Sequence, residues 1–280
     1  MQRMSSLMNS FKRYRNTFFN FYEVILKTEL NKFPIVGELR NGKKVNLYNR
    51  SSSWITSFGI DNYWDLQGKF IVIKYKSKEV KFKGAESNGE IPEIFGTEDY
   101  GGIDYTNKVV IDVGANIGDS SIYFIVNGAK LVYAIEPFLF PFSFLKQNIE
   151  LNNMESKIVP LNLGLWNKGG HISIDNEVTT TTGLGLTKLA GGSVIRVATV
   201  EQILSDYSIE DPVLKIDCEG CEYTIFKSIS QDTIKKLNLI IVEYHNGKEP
   251  LQKILEETHS LEIREKSKKV GIIIAKKNDE

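Results

Sequence analysis

The sequence contains little of several features that would assign it to a class of protein. Two cysteines, Cys218 and Cys221, occur in 280 residues, which argues against a scaffold built on disulfides. No run of about 18 apolar residues is present, so we expect no membrane-spanning helix. The N-terminus has no apolar segment followed by a small-residue cleavage site. We therefore predict a cytoplasmic protein without a secretory signal.

The chain has no net charge, but its charges are unevenly spread. Residues 1–90 hold 16 Lys and Arg against 8 Asp and Glu, which gives +8, and residues 91–280 hold 19 against 27, which gives −8. A basic region of this kind suits nucleic acid, anionic lipid or an acidic protein partner. Solvated lysines on small strands explain it without any partner, and we favour that interpretation.

The N-terminal region, residues 1–97, is predicted to hold a helix and a small basic β region. Apolar residues recur at helical spacing over residues 10–32, which predicts one amphipathic helix. Its apolar face would pack on the protein or on a second subunit, and an interfacial membrane helix is the alternative. Residues 70–83 are predicted to form a hairpin with its turn at Lys76-Ser77, and residues 84–107 a connecting loop.

The remainder, residues 98–280, alternates buried apolar runs with helical patterns. Such alternation predicts an α/β domain with a mostly parallel sheet and helices on both faces. The Gly- and Thr-rich segment 179–185 is a candidate substrate loop, although an ordinary surface loop explains it equally well. The predicted strands are 108–114, 130–137, 157–163, 212–217 and 237–245, followed by a terminal hairpin within 261–277.

The first strand leads into the loop Gly114-Ala115-Asn116-Ile117-Gly118, whose glycines allow a tight turn and close approach of a ligand. The loop lacks the middle glycine of a dinucleotide fingerprint. Asp112 and Asp119 flank it, and carboxylates repel a pyrophosphate but suit a cationic cofactor, which favours S-adenosylmethionine over NAD. Glu136, 22 residues after Gly114, ends the second strand where an acid can bind both ribose hydroxyls. The predicted cofactor-binding residues are Asp112, Gly114, Asn116, Gly118, Asp119, Glu136 and, for the adenine amino group, Asn162.

Cys218 and Cys221 follow the fourth predicted strand, where the next helix opens. Their spacing is that of a thioredoxin-like redox pair. Two thiols alone do not complete a zinc site. Because the rest of the domain is predicted to bind a nucleoside cofactor, we interpret the cysteines as small residues that tolerate burial between carboxylates.

Four stretches together resemble the FkbM-type methyltransferases: VVIDVGANIGDSSIYF (109–124), AIEP (134–137), LKIDCEGCE (214–222) and IIVEYH (240–245). The third stretch fits the family's K-x-D-x-E-G-x-E, with the cysteines at variable positions. The resemblance covers roughly residues 98–276 and implies a Rossmann-like, seven-stranded sheet whose last strand is antiparallel. It also implies S-adenosylmethionine-dependent methylation of hydroxyls on sugars, glycans or small natural products. The basic N-terminal region lies outside the resemblance.

Methylation of a hydroxyl usually needs a general base or a metal to remove the proton. The candidates at the ends of strands four and five are Asp217, Glu219, Glu243 and His245, with Glu222 as a further candidate in the turn after strand four. His245, with an ordinary pKa near about 6.5, is predicted to act as the base together with Asp217. The same four residues are the candidate ligands of a divalent metal, which we do not favour. An acid at position 222 also has a structural explanation, because Glu222 lies in the first turn of a predicted helix, where the helix dipole favours negative charge.

Two other functions remain open at this point. One is a methyltransferase acting on nucleic acid or protein, docked by the basic N-terminal region, although no strong nucleic-acid signal is present. The other is a non-catalytic, cofactor-binding scaffold whose N-terminal helix mediates oligomer assembly or peripheral membrane contact. The intact acids at 217, 219 and 243 speak against the scaffold.

Overall fold

The computed structural model describes residues 2–60, 62–64, 70–85, 90–174, 178–182, 185–189 and 193–278. The chain divides into two compact units, one made mostly of residues 1–99 and one made of residues 100–182 and 186–280. The boundary expected from the sequence lies between residues 97 and 98. Across the described residues, no helix is both long and apolar enough to cross a membrane.

The first unit combines short helices with two small antiparallel sheets. One sheet pairs β1 with β2, and the other has the order β3-β4-β5. The helices are α1 (Gln2–Thr17), α2 (Phe21–Glu29), α3 (Arg50–Ser57) and α4 (Ile91–Phe95), and the strands are β1 (Ile35–Glu38), β2 (Lys44–Leu47), β3 (Asn62–Trp64), β4 (Ile71–Tyr75) and β5 (Lys78–Phe82).

Three sequence predictions for this unit have different outcomes. The hairpin of β4 and β5 is confirmed, and Lys76 and Ser77 form its turn at positive φ. The single helix over 10–32 is wrong, because the chain leaves α1 at Phe18, which is fully buried and bridges to Leu39 of the neighbouring strand segment. The connecting loop over 84–107 is wrong in part, because α4 forms within it and buries Ile94.

The second unit is built on a seven-stranded sheet. Its first half holds β6 (Val109–Val113), α5 (Asp119–Val126), β7 (Leu131–Ile135), α6 (Leu139–Leu151), β8 (Ile158–Leu161), β9 (Gly164–Leu165), β10 (Gly170–Ile174), β11 (Val178–Thr182), β12 (Gly185–Leu189) and β13 (Ser193–Ala198). Its second half holds α7 (Val200–Asp206), β14 (Val213–Ile216), α8 (Glu222–Ser228), α9 (Gln231–Ile234), β15 (Leu239–Tyr244), α10 (Glu249–Leu255), β16 (His259–Glu265) and β17 (Gly271–Lys277).

The strand order is β16-β17-β15-β14-β6-β7-β8, with β17 antiparallel to both of its neighbours. The chain moves outward from β6 through β7 to β8, and then returns to β14 on the other side of β6. Right-handed crossovers therefore place α5 and α6 on one face and α8 on the other, with the switch point between β6 and β14. The predicted seven-stranded, mostly parallel Rossmann-like sheet is confirmed.

The polar segment after β8 forms small sheets of its own. β13 pairs antiparallel with β10 and parallel with β9, and β11 pairs with β12. The prediction of a loop over 179–185 is therefore wrong for the residues of this segment that the structure describes. Residues 179–182 belong to β11 and Gly185 begins β12. Residues 183 and 184 lie outside the described residues.

Candidate active site

The glycine loop between β6 and α5 lies against the end of β14. Gly114 has φ +76°, and a Cβ built on it would lie 1.8 Å from the backbone carbonyl oxygen of Asp217. No other residue type fits that approach, because both the conformation and the space require a glycine. The loop predicted to bind the cofactor is thus in direct backbone contact with the start of the predicted catalytic cluster.

Asn116 is held in the same loop at φ +47°. Its backbone N–H donates to Glu136 Oε2 at 2.9 Å. Within the part of the chain that the structure describes, its buried side-chain Oδ1 accepts no hydrogen bond. A buried amide oxygen without a donor is costly unless a ligand supplies one. Gly118 follows at φ +91° and precedes α5.

Glu136 is fixed at the end of β7 by backbone donors. Its Oε1 accepts the N–H of Phe138 at 2.9 Å, and its Oε2 accepts that of Asn116. Burial raises the pKa of Glu136 to about 7, although the two N–H donors act in the opposite direction. Asn162 donates to the carbonyl oxygens of Glu136 and Pro137 at 2.9 and 3.1 Å, so the predicted adenine contact also braces the strand end.

Asp112 is buried within the protein and already has partners. Its Oδ1 lies 3.0 Å from Lys215 Nζ, as an ion pair rather than a directed hydrogen bond, and both groups are almost fully buried. Its Oδ2 accepts from the hydroxyls of Ser120 and Ser121 at 2.7 and 2.5 Å. Lys215 also donates to the carbonyl oxygen of Gly114 at 3.1 Å. The expectation that the Asp112 charge serves the cofactor stays a prediction, because here it is balanced by Lys215.

Asp119 is the first residue of α5 and is fully buried. Its Oδ1 accepts the backbone N–H of Ser120 at 3.0 Å. An acid in the first turn of a helix is stabilised by the helix dipole. The start of α5 therefore accounts for a carboxylate at position 119 without a cofactor. A contact of Asp119 with a cofactor also stays a prediction.

His245 follows β15 and lies among three carboxylates. Its Nδ1 is 3.0 Å from Glu222 Oε1. Its Nε2 is 3.8 Å from Asp217 Oδ1 and 3.8 Å from Glu219 Oε2. These residues meet because β14 and β15 are adjacent and parallel, so the carboxyl ends of the two strands lie at the same edge of the sheet.

The three neighbouring carboxylates raise the pKa of His245. Burial lowers its pKa, but the hydrogen bond to Glu222 and the charges of Asp217, Glu222 and Glu219 outweigh burial and raise the pKa to about 9. The assumption of an ordinary pKa near 6.5 is therefore wrong. With a pKa of about 9 the ring is protonated on both nitrogens at neutral pH and donates hydrogen bonds. The role of His245 as the base stays a prediction.

Within this carboxylate cluster, Glu243 has a pKa near neutral pH. Burial and then the charge of Asp217 raise its pKa to about 7, while Lys266 acts in the opposite direction. Lys266 Nζ donates to Glu243 Oε1 at 3.1 Å. A base whose pKa lies near the working pH is the most effective general base. The pKa of Glu219 is raised by burial as well.

The two cysteines are joined by a disulfide, with their Cα atoms 5.5 Å apart. The bond closes the turn that carries Glu219 at φ +56° and Gly220 at φ +119°. Gly220 N–H donates to Glu222 Oε2 at 2.7 Å, which fixes the same turn from inside. The interpretation of the cysteines as small buried residues misses this link, although thiols at C-x-x-C spacing are the available signal.

Two contacts at the site are not predicted from the sequence: that of the candidate Glu222 with His245, and that of Lys266 with Glu243. The helix dipole alone does not account for Glu222, because its side chain is fully buried and orients His245. Lys266, in the terminal hairpin, holds Glu243. Neither contact has a local sequence signal, because both join elements that are distant in the chain.

A metal-binding arrangement is the alternative use of Asp217, Glu219, Glu243 and His245. Over the described residues, no group of three or more His, Cys, Asp or Glu side chains is arranged to hold a metal ion. The metal site remains a prediction that chelation can test.

The family model of the methyltransferase FkbM domain matches residues 112–271, more than half of the chain. The match begins at Asp112 and ends at Gly271, so it spans the glycine loop, Glu136 and the carboxylate cluster. A search of curated proteins returns no match.

Solved structures are similar to this chain at low sequence identity. A methyltransferase FkbM from Methylobacillus flagellatus is 17% identical over 62% of this chain with a TM-score of 0.47, and this chain covers 45% of it. A putative transferase from Pyrococcus horikoshii is 15% identical over 74% of this chain and 71% of its own, with a TM-score of 0.39. TYW2 from M. jannaschii, in complex with AdoMet, is 18% identical over 75% of this chain and 87% of its own, with a TM-score of 0.41. None of these likenesses bears on activity.

Proposed function

The chain belongs to the FkbM methyltransferase family, and we propose that it transfers a methyl group from S-adenosylmethionine to a hydroxyl of a sugar, a glycan or a small natural product. One observation carries the proposal. The glycine loop touches the backbone of Asp217, so a cofactor on that loop would lie beside Asp217, His245 and Glu243.

The residues around the loop fit S-adenosylmethionine. Asn116 Oδ1 is buried and, in the described part of the chain, lacks a donor, which a cofactor N–H or O–H group can supply. Glu136 is held by two backbone N–H groups, so its remaining lone pairs can accept from a ribose diol without reorganisation. When bound, the cofactor supplies an electrophilic methyl group on a sulfonium.

The carboxylate cluster supplies the proton acceptor. Glu243, with a pKa near 7, takes the proton of the acceptor hydroxyl as the new carbon–oxygen bond forms and the carbon–sulfur bond breaks. Asp217 orients the hydroxyl. His245, held by Glu222 as an imidazolium, keeps the surrounding carboxylates ionised and does not itself accept the proton. This assignment moves the role of base from His245 to Glu243.

Methyl transfer is tested by incubating the full chain with methyl-labelled S-adenosylmethionine and cell extract, and then identifying the labelled product. We expect Glu243→Gln to lower turnover by about 100-fold or more. Its affinity for S-adenosylmethionine should stay within a few-fold of the original, because Glu243 lies outside the cofactor loop. Unchanged turnover in Glu243→Gln and Asp217→Asn would place the base elsewhere.

A substrate that is nucleic acid or protein is the second candidate, favoured by the +8 charge of residues 1–90. Docking through that charge would make turnover fall steeply with salt. Turnover on a neutral sugar that does not depend on salt would remove this candidate.

A further inference from the structure

Helix α2 exposes an apolar stripe. Tyr22, Leu26 and Leu30 recur every four residues, and their side chains are 70, 61 and 54% exposed. The opposite side of the helix buries Val24 and Thr28. Residues four apart lie on one helix face, so, among the residues that the structure describes, α2 buries one side and leaves an apolar stripe exposed on the other.

Aromatic rings widen this stripe at the N-terminal end of α2. Phe19, just before the helix, is 69% exposed, and the ring of Phe11 on α1 is 41% exposed. The centroid of Phe11 lies 6.0 Å from that of Tyr22. The Arg40 guanidinium lies 5.6 Å from the centroid of the Phe19 ring. We call Phe11, Phe19, Tyr22, Leu26 and Leu30 the α2 face.

The segment that carries the α2 face is rich in positive charge. Residues 10–50 contain nine Lys and Arg and three acids, which gives +6. Each of the three acids is paired with a base: Glu23 with Lys27 at 2.5 Å, Glu29 with Arg50 at 3.8 Å and Glu38 with Lys44 at 3.1 Å. The acids therefore neutralise only three of the nine positive charges. The exposed bases near the stripe in sequence include Lys12, Arg15, Lys32 and Arg40.

We propose that the α2 face docks the protein on an anionic lipid surface. The apolar and aromatic side chains enter the boundary between headgroups and acyl chains, and the lysines and arginines meet lipid phosphates and carboxylates. A second copy of the chain fits less well, because two such faces would bring +6 against +6. This inference is independent of methyl transfer, since it rests on residues of the first unit.

Vesicle co-sedimentation of the full chain tests the proposal. We expect binding to vesicles of phosphatidylcholine with about one third phosphatidylserine, weak binding to phosphatidylcholine alone, and loss of binding in high salt. Leu26→Asn with Leu30→Asn should lower the partition coefficient by about tenfold or more. The matched control is Val194→Asn, which changes a side chain that is 64% exposed in the second unit.

Variants that remove positive charge measure the electrostatic contribution to vesicle binding separately from the apolar one. Lys12→Gln with Lys32→Gln should lower partitioning by about 25-fold, or roughly fivefold for each charge. The control Lys235→Gln with Lys236→Gln removes two exposed lysines of the second unit and should leave partitioning unchanged.

Three results would overturn the proposal. The first is equal partitioning into neutral and anionic vesicles, and the second is unchanged partitioning of the Leu26→Asn, Leu30→Asn variant. The third is a dimer in analytical ultracentrifugation that this variant dissociates, which would assign the α2 face to a second copy. Circular dichroism of each variant shows whether it is folded.

Discussion

The raised pKa of His245 gives a sharp prediction for the variant Glu222→Gln. Glu222 Oε1 is 3.0 Å from His245 Nδ1, and that hydrogen bond is the largest of the causes that raise the pKa. A glutamine has one acceptor oxygen in place of two, while both His245 and the N–H of Gly220 require an acceptor. We expect the pKa of His245 to fall from about 9 to roughly 7.

The free energy involved follows from the pKa. A rise from 6.5 to about 9 corresponds to about 3 kcal/mol in favour of the imidazolium before solvent screening, and because His245 is only partly buried its contribution to stability is smaller than this. Since the folded pKa lies above the unfolded value, this stabilisation is fully present below pH 6.5 and is lost as the pH rises through 9. Glu222→Gln should remove most of it, and the free energy of unfolding should then depend less on pH between about 6.5 and 9.

Proton NMR titration measures the pKa directly, because the chain has only three histidines. His245→Gln assigns the resonance, and burial lowers the pKa of His259, which separates it from His245. Glu262→Gln, on β16, removes the same charge without touching His245 and serves as the control. A His245 that titrates near 6.5 in the original chain, or that is unaffected by Glu222→Gln, would refute this reasoning.

Three further variants test the cofactor loop, the buried ion pair beside it and the disulfide. Gly114→Ala should strongly weaken S-adenosylmethionine binding by calorimetry, because its Cβ would lie 1.8 Å from a carbonyl oxygen. Lys215→Met should lower the free energy of unfolding by about 3–5 kcal/mol in urea titration, since it leaves Asp112 buried without a counter-charge. Cys218→Ser with Cys221→Ser should cost about 2 kcal/mol or less, because the disulfide closes a very short loop, and turnover should stay within a few-fold.

Matched controls make these outcomes decisive. Gly42 also has positive φ, but no atom lies within 4 Å of the place that an added Cβ would take, so Gly42→Ala should leave cofactor affinity unchanged. Lys236→Met removes an exposed lysine and should barely change stability. Normal cofactor binding by Gly114→Ala, a stable Lys215→Met, or inactivity of the cysteine variant while it stays folded would each contradict the corresponding step.

The sequence predicts the sheet better than the site, for a physical reason. Strands buried on both faces appear as continuous apolar runs, and the glycines at 114 and 118 signal a tight turn that ligands approach. The break in the N-terminal helix carries no such signal, because Phe18 suits the helical period and leaves the helix only to pair with Leu39. Local pattern cannot show a tertiary contact of this kind.

The protonation states at the site also depend on tertiary contacts that local sequence pattern does not show. The sequence pattern predicts Asp217, Glu219, Glu243 and His245 at the ends of two strands. In the structure His245 lies within 3.8 Å of Asp217 and Glu219. The protonation states depend on burial and on neighbouring charge, and both come from residues distant in the chain. That is why the ordinary pKa of His245 is the wrong premise and why the raised pKa of Glu243, which supports its proposed role as the base, can be found only from the structure.

Calorimetric titration with S-adenosylmethionine and, separately, with NAD tests the central claim most directly. We expect saturable binding of S-adenosylmethionine by the full chain, lost in Gly114→Ala and kept in Gly42→Ala, with no binding of NAD. Binding of NAD together with no affinity for S-adenosylmethionine would contradict the account.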